Sequence, residues 1–174
     1  RSEHLSCINY QINVNTGFVY YNLEKDSVSK IDNSASPCIL FLLDGEVSID
    51  SGEYQNVHIE KDKMVLIPQH VDNKIEVIYD AKCLLLFWNK DIRVCDKVYM
   101  NSLSSYKERK KEMCVLPIRD PLQAVLNSVV AYLYAKMQCK HMHLIKQQEV
   151  LLVLRGYYTK KELFTFFSSI LRSE

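Results

Sequence analysis

Two stretches of this 174-residue chain have residue types and spacing suited to chemistry. Cys139-Lys140-His141-Met142-His143 collects three good zinc ligands in five residues. On a helix, positions two apart diverge by about 200°, so only Cys139 and His143 share a face. The plainer expectation is that these residues cap a helix and support an inter-helix turn. His58-Ile59-Glu60 puts two more potential ligands on one face of a strand, since alternate side chains point the same way. Beside its neighbours it reads as an outward polar face with Ile59 directed inward. No Gly-x-Ser-x-Gly elbow, Gly-rich phosphate loop or spacing for paired carboxylates occurs, so no catalytic residue is assigned.

These residues must be positioned by elements of two kinds, and the change falls near Lys90. Before it, short apolar bursts alternate with turn residues. Strands are expected at Gly17–Tyr21, Ile39–Leu43, Glu46–Asp50, Gln55–Ile59, Met64–Ile67, Lys74–Tyr79 and Lys82–Trp88. Asp44-Gly45 reads as a hairpin turn, because both residues tolerate positive φ. Short strands with turns at this spacing point to a barrel or sandwich. After Ile118, apolar residues recur every three or four positions. A helix over Pro121–Gln138 carries the stripe Leu122, Val125, Leu126, Val129, Val130, Leu133 and Met137, with Asp120-Pro121 opening it. A second helix is expected over His143–Tyr157. A third opens at the capping box Thr159-Lys160-Lys161-Glu162 and is apolar around much of its circumference.

Formal net charge is +1, with 22 Lys+Arg against 21 Asp+Glu, which argues against phosphate-backbone binding by this chain. The run Lys107-Glu108-Arg109-Lys110-Lys111-Glu112 reads as a solvated helical face. Six cysteines (Cys7, Cys38, Cys83, Cys95, Cys114, Cys139) sit in a chain too long for a disulfide-stapled mini-domain, and no signal peptide precedes them; reduced thiols in the cytoplasm are expected. No apolar run reaches the ~20 residues of a membrane span. The chain starts at Arg1 rather than Met and stops just past an apolar helix, as a cut chain would.

The stretch Leu116-Pro117-Ile118-Arg119-Asp120-Pro121-Leu122 resembles the segment after the barrel in AraC-type transcription regulators, in the flavour found in gut Bacteroidetes. So do Cys139-Lys140-His141, Lys146-Gln147-Gln148-Glu149 and Tyr157 through Phe164. Leu42-Leu43-Asp44-Gly45-Glu46-Val47 and Lys61 through Pro68 are similar to cupin strands. The resemblance spans roughly residues 30 to 171. It implies an α+β fold: a cupin-like antiparallel β barrel (1–90), a connecting segment (91–118) and a three-helix dimerisation subdomain (119–174). It also implies effector sensing and dimerisation on behalf of a C-terminal helix-turn-helix DNA-binding domain that this chain lacks.

The rival reading is a cupin metalloenzyme, an isomerase or oxygenase. Its ligands would fall near Lys30, Asp32, Ile39 and Asn73, and none of these is His. No metal or other cofactor is therefore assigned. A third reading is a dimerisation module with no ligand. If the barrel binds an effector, a sugar or other metabolite, the candidate contacts are Asp32, His70, Asn73 and Trp88. A homodimer is expected through the helix Pro121–Gln138, with Tyr132 and Tyr134 as contacts, or else the helices pack back onto the barrel.

Overall fold

The computed structural model describes residues 17–88 and 112–171. Its strands are β1 (Gly17–Leu23), β2 (Val28–Ser29), β3 (Cys38–Ser51), β4 (Tyr54–Ile59), β5 (Lys63–Ile67), β6 (Asn73–Phe87) and β7 (Leu116–Pro117). Three helices follow: α1 (Asp120–Tyr134), α2 (Lys140–Tyr157) and α3 (Lys160–Leu171). All strand pairs are antiparallel, in the order β1-β6-β3-β5-β7, with β2 added to β6 and β4 to β3. The fold is thus an antiparallel sheet with three helices, of the α+β class. Among the described residues the sheet is open, ending at β1 and β7. The expected strand at the start, the later strands near residues 55–67 and the three helices are present. Residues 107–111 of the charge run, Cys7 and Cys95 lie outside the described residues.

The Asp44-Gly45 turn is not a hairpin. β3 runs unbroken from Cys38 to Ser51 and pairs with β6 on both sides of Gly45, with register shifts between Leu42 and Val47. Gly45 adopts φ +84°, and a Cβ there would meet the Asp80–Ala81 backbone. The positive φ serves a bulge that bends the strand rather than a reversal of the chain. The two strands expected at Lys74–Tyr79 and Lys82–Trp88 are likewise one strand, β6, which lies along β3 throughout.

Both faces of this sheet are buried, which is why β3 and β5 read as continuous apolar runs. One face carries Phe18, Ile39, Phe41, Met64, Leu66, Leu84 and Leu86, and the helices pack on it through Leu122, Val125, Leu126, Val129, Val150, Leu154, Leu163, Phe166 and Phe167. The other face gathers Leu40, Leu42, Val65, Ile67, Leu85 and Phe87 with Val47, Ile49, Ile59, Ile75 and Val77. Those residues come from both ends of β3 and β6, so the sheet curls over itself around this second cluster.

Helix ends follow local rules. α3 starts with a reciprocal capping box: Glu162 N–H donates to Thr159 Oγ1 at 3.1 Å, and Thr159 N–H to Glu162 Oε1 at 2.9 Å. α1 ends at Tyr134, short of Gln138. Lys136 N–H donates to Leu133 O and Met137 N–H to Tyr132 O, both around Lys136 at φ +59°. This is a Schellman ending with Lys where Gly is usual, so no sequence signal marked it. Asp120 lies inside the first turn rather than capping it; Arg119 is the N-cap residue and makes no side-chain cap bond. α2 begins at Lys140, three residues ahead of the expected His143, with Cys139 as its N-cap residue.

Candidate functional site

Three of the four candidate ligand residues lie where loops 31–37 and 68–72 meet the start of β6. Buried asparagines build this rim. Asn73 accepts from Ile31 N–H through Oδ1 (2.8 Å) and donates to Ile31 O through Nδ2 (2.9 Å). Asn33, which sequence reading passed over, donates through Nδ2 to Pro68 O and Val71 O, both at 2.7 Å. His70 N–H in turn donates to Asn33 O at 3.2 Å. Each asparagine thereby satisfies backbone groups that the loops leave unpaired.

The side chains around the rim serve different ends. Asp32 is exposed, and its carboxylate accepts from Ser34 Oγ (2.6 Å) and Ser34 N–H (3.2 Å), bonds that lower its pKa. His70 is exposed at φ +64°, with Gln69 Nε2 3.2 Å from its ring nitrogen. Asn73 is committed to Ile31. The Trp88 backbone reaches the rim, its N–H donating to Pro37 O at 3.0 Å, but its half-buried ring packs 5.6 Å from Phe167 of α3. The polar side chains at the rim are thus Asp32, Ser34, Gln69 and His70, with Gln69 Nε2 also donating to Ser34 O at 3.1 Å. Of the positions where a cupin metal would be ligated, Lys30 and Asp32 are exposed, Ile39 is in the helix-facing core, and Asn73 is engaged. No group of three or more potential metal ligands occurs among the described residues.

A polar junction joins the sheet edge to the helices. Arg119 makes a forked pair with Glu162, at 2.8 and 3.1 Å, and also donates to Tyr157 O at 2.8 Å. Its guanidinium lies 4.2 Å from the Tyr158 ring centre. Tyr158 hydroxyl accepts from Arg119 N–H (3.0 Å) and donates to Pro117 O (2.6 Å). Hydrogen bonds from Arg119 and from the Thr159 backbone hold Glu162 down at about 2.

A second junction binds α2 to β1. His143 is 5% exposed, and its Nδ1 accepts from Phe18 N–H at 2.8 Å. Cys139 is buried too, whereas His141 is exposed, so the Cys-x-His-x-His ligands part as helical geometry requires. Nearby, Tyr134 is 67% exposed and its ring lies 5.6 Å from that of Tyr20; burial, then the Tyr134 bond, pushes Tyr20 up to about 12. Tyr132 is half-buried under Lys146 Nζ, 5.1 Å from its ring centre. His58 points outward to Glu46 at 3.0 Å and Ile59 is buried, as the alternating pattern requires.

No family model matches the chain, and no curated protein does. Among solved structures, a conserved protein of unknown function from Streptococcus pyogenes aligns at 12% identity and TM-score 0.38, over 42% of this chain and 64% of that one. This chain therefore spans less than two thirds of it. A cupin-2 domain protein from Shewanella frigidimarina aligns at 16% identity and TM-score 0.35, over 43% of this chain and 72% of that one. An RmlC-like cupin with a double-stranded β-helix fold from Methanocaldococcus jannaschii aligns at 15% and 0.38, over 42% and 71%. Two of these three structural neighbours are thus described as cupin proteins. No helix among the described residues is long and apolar enough to cross a membrane.

Proposed function

We propose that this chain is the sensing and association part of an AraC-type transcription regulator. The observation that carries the reading is the junction at Arg119. Two segments that resemble that family (116–122 and 157–164) meet there: the Arg119–Glu162 fork ties the start of α1 to the start of α3, and Tyr158 hydroxyl bonds to Pro117 of β7. A small polar metabolite, a sugar among them, binds at the rim of Asp32, Ser34, Gln69 and His70. Its preference for one arrangement of rim and helices is passed through the shared core to the helical layer. Two copies associate through the exposed side of α1 around Tyr134. DNA is read by a helix-turn-helix domain that follows in the full protein, in keeping with the net charge of +1 here.

The test is the solution mass of the chain by light scattering over a dilution series, together with metal analysis. A dimer that persists at low micromolar concentration and falls apart on Tyr134→Arg supports the reading. A monomer at every concentration removes the association half of it. Stoichiometric bound iron, manganese or zinc overturns it in favour of a cupin metalloenzyme.

A further inference from the structure

The His143 ring is held in one protonation state by its surroundings. Its Nδ1 accepts from the Phe18 backbone N–H, so Nδ1 carries no proton and the neutral ring carries its hydrogen on Nε2. That Nε2 is buried and has no hydrogen-bond partner among the described residues. The ring also lies against the Gly17 backbone: a Cβ at Gly17 would come within 2.9 Å of the imidazole Cγ. The Phe18 ring stacks with it, ring centres 6.0 Å apart. A protonated ring would turn two donors on each other at Nδ1 and leave a charge in an apolar site.

We propose that His143 is an acid-released latch: protonation of its ring breaks the bond to β1 and loosens α2 from the sheet. Among the described residues no carboxylate pairs with the ring. β1 contributes Gly17 and Phe18. On α2, Lys140 and Lys146 are both cations, and Lys146 is already paired with Glu149. Buried Cys139 and Gln147 lie one turn to either side. On α1, Tyr132 faces Lys146 and Tyr134 faces Tyr20. Burial alone draws His143 from 6.5 down to about 4.

The sign follows from the unfolded chain binding the proton more readily than the folded one. The latch is fully engaged above about pH 6.5, weakens as pH falls, and has lost its contribution by about pH 4. The shift is on the order of a hundredfold in the equilibrium between docked and released α2. The acid window of Glu162 lies lower, between 4.5 and about 2, so the two are separable.

The experiment compares thermal unfolding of the wild type and His143→Asn between about pH 7 and about pH 5. Asn keeps an acceptor for Phe18 N–H and does not titrate. The wild type loses stability over this range and the variant stays flat; equal slopes overturn the proposal. Should the variant not fold, two measurements on wild-type His143 decide. Amide exchange at Phe18 and along α2, corrected for intrinsic pH dependence, rises on acidification while β3 stays protected. The ring nitrogens, read by NMR with the other four histidines replaced, show the Nε2–H tautomer and titrate well below the usual range. Unchanged protection at Phe18, or a ring that titrates normally, refutes the latch.

Discussion

Replacing glycine with alanine at two positions in this chain moves stability in opposite directions. At Gly45 the backbone sits at φ +84°, where an L side chain costs about 1–2 kcal/mol. The new Cβ would stand 2.7 Å from Ala81 Cα and 2.9 Å from Asp80 C, where apolar carbon atoms prefer about 3.5–4.0 Å. The obstacle is backbone and cannot rotate away, so β3 and β6 must part, at the cost of overpacking, about 1–3 kcal/mol. Gly45→Ala should therefore lose about 2–5 kcal/mol, a large share of the roughly 5–15 kcal/mol that holds a domain together. At Gly156, near the end of α2, an added Cβ meets nothing within 4 Å. Gly156→Ala should gain about 0.5–1 kcal/mol from helix propensity alone. Urea unfolding, followed by the fluorescence of Trp88 and by far-UV circular dichroism, reads both. At about 2–4 °C per kcal/mol, melting temperatures should move by opposite and resolvable amounts. A Gly45→Ala variant within about 0.5 kcal/mol of wild type would refute the account of the bulge. So would a Gly156→Ala variant less stable than wild type.

Asn73→Ala should cost about 2–3 kcal/mol in the same assay, because it strands the buried N–H and C=O of Ile31; a loss under about 0.5 kcal/mol would show that water replaces both bonds. Glu162, held at about 2 against 4.5, stabilises the fold above pH 4.5, and that stability is lost as pH falls through 2. Both Glu162 and Arg119 are partly exposed, so solvent screening reduces the contribution to about 1 kcal/mol, and Glu162→Gln should flatten the acid limb in this range. Burial raises the Cys38 thiol and pushes Cys83 up to about 12, so neither should react with a thiol reagent until the chain unfolds; rapid labelling of either in native buffer would contradict the packing of the second cluster.

Signals contained within a few residues were legible in the sequence, and signals that depend on a distant partner were not. The Thr159–Glu162 capping box and the split of Cys139 and His143 from His141 follow from helical periodicity alone. The outward His58 and inward Ile59 follow from strand alternation. Asp44-Gly45 was misread because positive φ suits a hairpin and a bulge equally; only β6, running past both sides, decides between them. The rim is similar. Asp32, His70 and Asn73 do share a region, but Asn73 serves Ile31 and the pinning residue is Asn33, which no local pattern distinguishes. His143 and Phe18 are 125 residues apart, and nothing near either announces the other. Trp88 sits at the end of an apolar strand, and its side was set by Phe167 of α3. Residues 1–16, 89–111 and 172–174 lie outside the described structure.

A sheet that is apolar on both faces has a problem that half-solvated sheets avoid. In β3, Ile39 and Phe41 face the helices while Cys38, Leu40 and Leu42 face the curl; β5 and β6 interleave in the same way. A slip of one residue exchanges one hydrophobic set for another, so polarity barely penalises it. The nearest competitor of the native state is then a misaligned sheet, equally greasy and nearly as compact. Shape must exclude it: side-chain volumes that fit one cluster and crowd the other, and a bend that can form only where Gly45 meets Asp80. Such a chain should tolerate many conservative apolar exchanges in β3 and β5. A single-residue insertion or deletion there, which preserves composition and hydropathy, should be far more damaging.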